Sequence, residues 1–140
     1  MRDRPYEILD HTADIYIRIQ GRDLKSLFRN AGLAIFEIAS RKQFTKDPRH
    51  IKVQIVEQAG NLEELFVNWL NELLSLSSAK GLIFYELKIN KLTDNTLEAV
   101  ALGSNIINFK VNIEIKAATY HQLKIEETAD GWKAEVILDV

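Results

Sequence analysis

Two stretches of this 140-residue chain carry side chains whose types and spacing could do chemistry. The first is Asp10-His11-Thr12-Ala13-Asp14, which places two carboxylates, an imidazole and a hydroxyl in five residues, directly before an apolar strand. Side chains at the mouth of a strand are held more firmly than those on a free loop, which suits a site. Turn chemistry competes with this, since Asp and Thr side chains bond nearby backbone and His11 can do the same. The second stretch is the pair Asp139 and Val140. A strand running to the last residue has its end anchored by a sheet, so Val140 offers a fixed α-carboxylate with the Asp139 carboxylate beside it. Two such groups repel unless a cation or a basic side chain lies between them. Hard divalent cations such as Ca2+ and Mg2+ favour oxygen ligands of this kind. A solvated terminal acid accounts for the same residues.

A third stretch, Lys116-Ala117-Ala118-Thr119-Tyr120-His121, is expected where one long strand meets the next. His11 and His121 could meet Asp14 in a two-histidine, one-carboxylate metal site, although nothing in the spacing requires it. A structural His and Tyr at a strand junction is the alternative. No GxSxG, Walker loop, HExxH or glycine-rich dinucleotide turn occurs in the sequence.

The elements that must position these residues can be read from periodicity. Ile15, Ile17 and Ile19 alternate with Tyr16, Arg18 and Gln20, the period of a half-buried strand that Gly21 ends. Asp23 is placed to cap a helix striped by Leu24, Leu27, Phe28, Ala31, Ile35 and Ile38. Residues 40–50 read as a polar loop, and 51–56 alternate as a strand. Asn61 with Glu64 has the form of a capping box for a second, central helix striped by Leu62, Leu65, Phe66, Trp69, Leu73 and Leu76. Leu70 and Leu74 broaden that stripe, and Gly81 closes it. Residues 83–92 and 96–102 flank a turn at Thr93-Asp94-Asn95, and residues 111–116 and 119–127 are expected as strands. A final hairpin turns at Ala129-Asp130-Gly131 into a strand on which Trp132, Ala134, Val136, Leu138 and Val140 share a face. These patterns predict one α+β domain over residues 1–140: two amphipathic helices on antiparallel-rich sheet, ending in a C-terminal β-hairpin.

Composition narrows the function classes. The chain has no cysteine, which removes thiolate metal sites, thiol nucleophiles and disulfides, and fits a reducing, cytoplasmic setting. A net charge of −2 gives no surplus of cations for phosphate neutralisation, so tight direct binding of nucleic acid is not expected. No signal peptide is read at the N-terminus, and no apolar run approaches the roughly 18 residues of a membrane span.

Taken in order, the segments Tyr6 to Ile15, Gly21 with Leu27-Phe28, Trp69-Leu70-Asn71-Glu72-Leu73-Leu74, Lys116 to His121, and the final Asp139-Val140 resemble the archease family across essentially the whole chain. The resemblance implies a helper protein, not an enzyme: an activator of the RtcB-type RNA ligase of tRNA splicing, promoting ligase guanylylation and repeated turnover. It also implies a bound divalent cation, calcium above all with magnesium or manganese as alternatives, held here by Asp14, Asp139 and Val140. Ala118 departs from the family pattern, which favours a bulkier aliphatic there, and residues 103–109 lack an expected acidic residue. Two other functions compete: a metal-dependent hydrolase or nuclease using Asp14, His11 and His121, and an RNA-binding chaperone.

Overall fold

The alternating isoleucines form a strand around which the other elements are arranged. The computed structural model describes residues 5–11 and 14–140, and for Asp10 and His11 the backbone alone. In chain order the elements are β1 (Tyr6–His11), β2 (Asp14–Gly21), α1 (Leu24–Ala39), β3 (Ser40–Lys42), β4 (His50–Gln58) and α2 (Leu62–Lys80). There follow β5 (Leu82–Leu92), β6 (Thr96–Asn105), a 3-10 turn (Ile106–Asn108), β7 (Phe109–Val111), β8 (Ala117–Ala118), β9 (Lys124–Thr128) and β10 (Gly131–Asp139).

Among the described residues every strand pair is antiparallel. The first sheet runs β1-β2-β10, and the far edge of β10 is shared by β9 and β8. The second sheet runs β4-β6-β5, and β3 pairs with β7. Helix α1 packs on β2 and β10 of the first sheet and on β5 of the second, while α2 packs on β4, β5, β6 and β8. This is the predicted α+β arrangement of two helices on antiparallel sheet, with the chain ending in a hairpin of β9 and β10.

Register in the first sheet follows from burial. Ile15, Ile17 and Ile19 face Leu138, Val136 and Ala134 across the β2–β10 ladder, and all six are completely buried. A slip of one residue would turn every one of them to solvent.

Both helices start as the sequence predicts. The Asp23 carboxylate accepts the Ser26 N–H at 2.8 Å, and the Asn61 side chain accepts the Glu64 N–H at 2.8 Å. The return bond of a capping box would go to the Asn61 amide, but the Glu64 carboxylate instead accepts from Gly60 N–H at 3.1 Å. Gly81 caps α2 in the left-handed region at φ 65°, where a Cβ would be strained. Trp69 lies fully buried where the helices meet, its indole N–H donating to Phe28 O at 2.8 Å, and the Phe28 ring packs edge-on to Phe66.

Three expected elements differ. The polar loop 40–50 begins with strand β3, and the rest is tied down by buried Asn108, which accepts from the Lys46 and Asp47 amides and donates to Asp47 O. The strand expected over 111–116 stops at Val111. The alternation beyond it survives as burial of Ile115, but Asn112 and Ile113 both donate to Ala39 O at the end of α1, not to a ladder. The strand expected over 119–127 is broken by a turn in which Gln122 takes φ 54°, so that only β9 is ladder. Among the described residues no helix is long and apolar enough to cross a membrane.

Trp69 combines burial with an indole bond to a buried carbonyl. Trp69→Ala is therefore expected to destabilise the fold by about 3–5 kcal/mol, read as a lower urea midpoint at unchanged slope.

Candidate metal centre

The site is built from the outer face of the first sheet. With Ile15, Ile17 and Ile19 turned inward, β2 presents Asp14, Tyr16, Arg18 and Gln20 outward, and β10 presents Lys133, Glu135, Ile137 and Asp139. The register pairs them row by row. In one row Glu7 of β1, Arg18 of β2, Glu135 of β10 and Lys124 of β9 stand side by side, negative and positive in alternation. Arg18 bonds the Glu135 carboxylate at 2.9 Å and Glu7 at 2.9 Å. In the next row Gln20 faces Lys133, which pairs with Glu126 at 3.0 Å.

Glu135 is 93% buried, 7% of its surface remaining exposed. The Tyr16 hydroxyl donates to it at 2.7 Å, and that bond with the Arg18 guanidinium holds its carboxyl below the ordinary 4.5. The same carboxylate raises Tyr16 above its ordinary 10.0, because ionising the phenol would lose the bond and place two anions together.

The row at the open end breaks this pattern. Asp14, the first residue of β2, lies directly opposite Asp139, the last residue of β10. Side chains so placed have Cβ atoms roughly 4.5–5.5 Å apart, and like charges there oppose pairing. Both side chains are exposed, and among the described residues neither has an ion-pair partner. Val140 follows at once, half-buried and packed against the core. The sheet thus brings together Asp14 and Asp139 from opposite ends of the sequence; the last strand, expected to run through Val140, ends at Asp139, and Val140 is the next residue beyond the ladder.

The neighbouring strand fixes this end in place. β8 pairs Ala117 with Asp139 and Ala118 with Leu138, and the Lys116 amide donates to Asp139 O at 2.8 Å. Thr119 donates from both its amide and its hydroxyl to Ile137 O. Asn71 on α2 acts as one more strand: its side chain accepts the Ala118 N–H at 2.7 Å and donates to Ala118 O at 3.1 Å. The Trp69–Leu74 and Lys116–His121 segments therefore meet at the site.

Of the other candidates, the Asp10 and His11 side chains and all of Thr12 and Ala13 lie outside the described residues. His121 sits in the exposed turn after β8. Among the described residues no three His, Cys, Asp or Glu side chains cluster tightly enough to hold a metal. What the strand ends offer is two carboxylates and main-chain oxygen, an oxygen-only donor set of the type hard divalent cations take.

Sequence reasoning missed Glu135 and Asn71. Glu135 sits in the outward phase of β10, where an acid ordinarily meets water, and only the register reveals Arg18 beside it. Asn71 lies off the apolar stripe of α2, where a polar residue ordinarily meets water, and only the fold brings Ala118 to it.

The profile of the Archease protein family matches residues 6–140. The chain is 38% identical to Protein archease of Methanosarcina barkeri over 98% of its length and 97% of that protein. It is 36% identical to Protein archease of Pyrococcus abyssi over 96% of its length and 98% of that protein. The fold is similar to the solution structure of protein 1598 of Methanobacterium thermoautotrophicum, with a TM-score of 0.71 and 30% identity over 97% of this chain and 99% of that one. It is also similar to the crystal structure of an archease, described as a possible chaperone, from Thermotoga maritima, with a TM-score of 0.66 and 25% identity over 100% of this chain and 98% of that one.

Two outcomes are expected from the supporting residues. Asn71→Ala leaves the Ala118 amide and carbonyl without partners, costing about 1–3 kcal/mol and speeding hydrogen exchange at Ala118. Glu135 contributes stability that is complete above its unfolded-state value near 4.5 and is lost as pH falls through its lower folded-state value. Glu135→Gln should cost about 1–2 kcal/mol at neutral pH and flatten the acid limb of the stability–pH curve.

Proposed function

The chain belongs to the archease family, and from that premise we propose that it is an activator of an RtcB-type RNA ligase, acting through a divalent cation held at its acidic strand end. Asp14 and Asp139 supply the side-chain oxygens, and a main-chain oxygen of Val140 supplies the third. The observation that carries this reading is the Asp14–Asp139 row, where like charges face each other and neither has an ion-pair partner among the described residues. Two unit charges 4 Å apart cost about 1 kcal/mol in bulk water and more beside protein, a cost that a bound cation turns into attraction.

Calcium suits such an exposed, oxygen-only cluster because it accepts irregular geometry and completes its shell with water. Magnesium demands a regular octahedron, which few protein oxygens at one strand end could impose. The chain's own residues bind and orient: β8 and Asn71 fix the end of β10, and the β2 ladder fixes Asp14 against it. An acidic, cation-bearing tip is chemically matched to a ligase site that uses divalent metal and handles a nucleotide triphosphate. The chain performs no catalysis of its own in this account and works in the cytoplasm, where a protein without cysteines is at no disadvantage.

RNA ligation by the cognate ligase at substoichiometric enzyme is expected to proceed through many turnovers with this chain and to stall without it. Asp14→Asn and Asp139→Asn should fold but lose the stimulation. Unchanged ligation on addition of the parent chain, or turnover of a phosphodiester by the chain alone, would contradict the proposal. In metal-free buffer each variant should be about 0.2–1 kcal/mol more stable than the parent, since the like-charge row is relieved. Calcium should raise the melting temperature of the parent and leave both variants where they were.

A further inference from the structure

At the opposite end of the same two strands, roughly 24 Å from Asp14 and Asp139 along the ladder, the register pairs Gly21 with Trp132. There an open cleft of about 720 Å³ separates the first half of α1 from the ends of β2, β9 and β10. Its α1 wall is formed by Ser26, Arg29, Asn30 and Leu33, whose spacing puts them on one helical face. Arg22, just before α1, and Trp132 and Lys133 of β10 also line the cleft.

The cleft is strongly unbalanced in charge. It is lined by three cations, Arg22, Arg29 and Lys133, against one carboxylate, Asp130. Lys133 is paired with Glu126 outside the lining, but Arg22 and Arg29 are exposed and have no ion-pair partner among the described residues. Arg22 also feels the Asp23 carboxylate next to it, but two guanidiniums without an ion pair form a local cationic patch that the chain's net charge of −2 hides. The amides at the start of α1 play no part in it, since the Asp23 carboxylate already occupies that helix end.

The second feature is aromatic. Trp132 is half-buried, with its residue opposite being glycine, so no side chain on β2 covers it. Neither Gly21 nor Gly131, the residue before Trp132, tolerates a larger residue: a Cβ on Gly21 would lie 2.4 Å from Leu27 N, and one on Gly131 would lie 2.4 Å from Gly21 O. The start of α1 therefore packs directly on the backbone of Gly21. An indole and two guanidinium groups lining one cleft of small-ligand size match a molecule with both a flat ring and a phosphate.

We propose that this cleft binds a mononucleotide, with its phosphate on Arg22 and Arg29 and its base against the Trp132 indole. The site is independent of the cation at the far end of the sheet. Trp69 is fully buried and Trp132 half-exposed, so tryptophan emission reports on the cleft. The full chain is titrated with AMP, GMP, adenosine and inorganic phosphate, by emission and by calorimetry. AMP or GMP should bind saturably in the micromolar-to-millimolar range and change the emission, more tightly than phosphate or adenosine alone. Arg22→Gln and Arg29→Gln, both exposed and expected to fold, should each weaken nucleotide binding about tenfold, the loss of one charge-assisted contact. Asp14→Asn should bind as the parent does. Absence of saturable nucleotide binding, arginine variants that bind like the parent, or phosphate binding as tightly as AMP would each overturn the proposal.

Discussion

The β2–β10 ladder fixes everything that follows. Its inner face is six fully buried aliphatic side chains packed under α1, and together they contribute on the order of 10 kcal/mol in favour of one register. That sum far exceeds what two exposed carboxylates lose by facing each other, which is a few tenths to about 1 kcal/mol. The fold can therefore hold Asp14 opposite Asp139 without rearranging to relieve them. The repulsion is left in place as a local cost that a cation can remove.

The outer face of the sheet shows the contrast. Where Glu7, Arg18, Glu135 and Lys124 stand in a row, each charge has an opposite neighbour, and the most buried of them, Glu135, also takes the Tyr16 hydroxyl. At the free end that alternation fails, and the two like charges coincide with the point where β8 and Asn71 clamp the strand from its other side. The proposed cation site rests on that combination of a held strand end and facing like charges. The two ends of the ladder also differ in sign, with the carboxylates at one and the Arg22–Arg29 cleft at the other.

Much of this was legible from periodicity. The alternation of β2, the stripes of both helices, the Asp23 and Asn61 caps, the Gly81 stop and the last hairpin are local patterns, and the chain forms them where local patterns predict. The failures share a cause. Residues 112–116 alternate like strand and 119–123 read as the start of one, but Asn112 and Ile113 bond the end of α1, and Gln122 turns the chain at positive φ. A ladder needs a partner, and partners are set by tertiary packing. For the same reason Asp14 and Asp139 were readable as acids but not as neighbours, and only the family resemblance joined them. Glu135 and Asn71 escaped notice because what makes them matter lies on another strand. The Asp10 and His11 side chains, with Thr12 and Ala13, lie outside the described residues.

The central claim is that Asp14, Asp139 and Val140 together hold a divalent cation. A calcium titration of the isotopically labelled chain, followed at the carboxyl carbons and amides by NMR, tests it most directly. The account predicts saturable shifts at the Asp14 and Asp139 carboxyls and at Val140, with the buried Glu135 carboxyl unmoved. Equal, unsaturable shifts at all exposed acids, or none at Asp14 and Asp139, would contradict it.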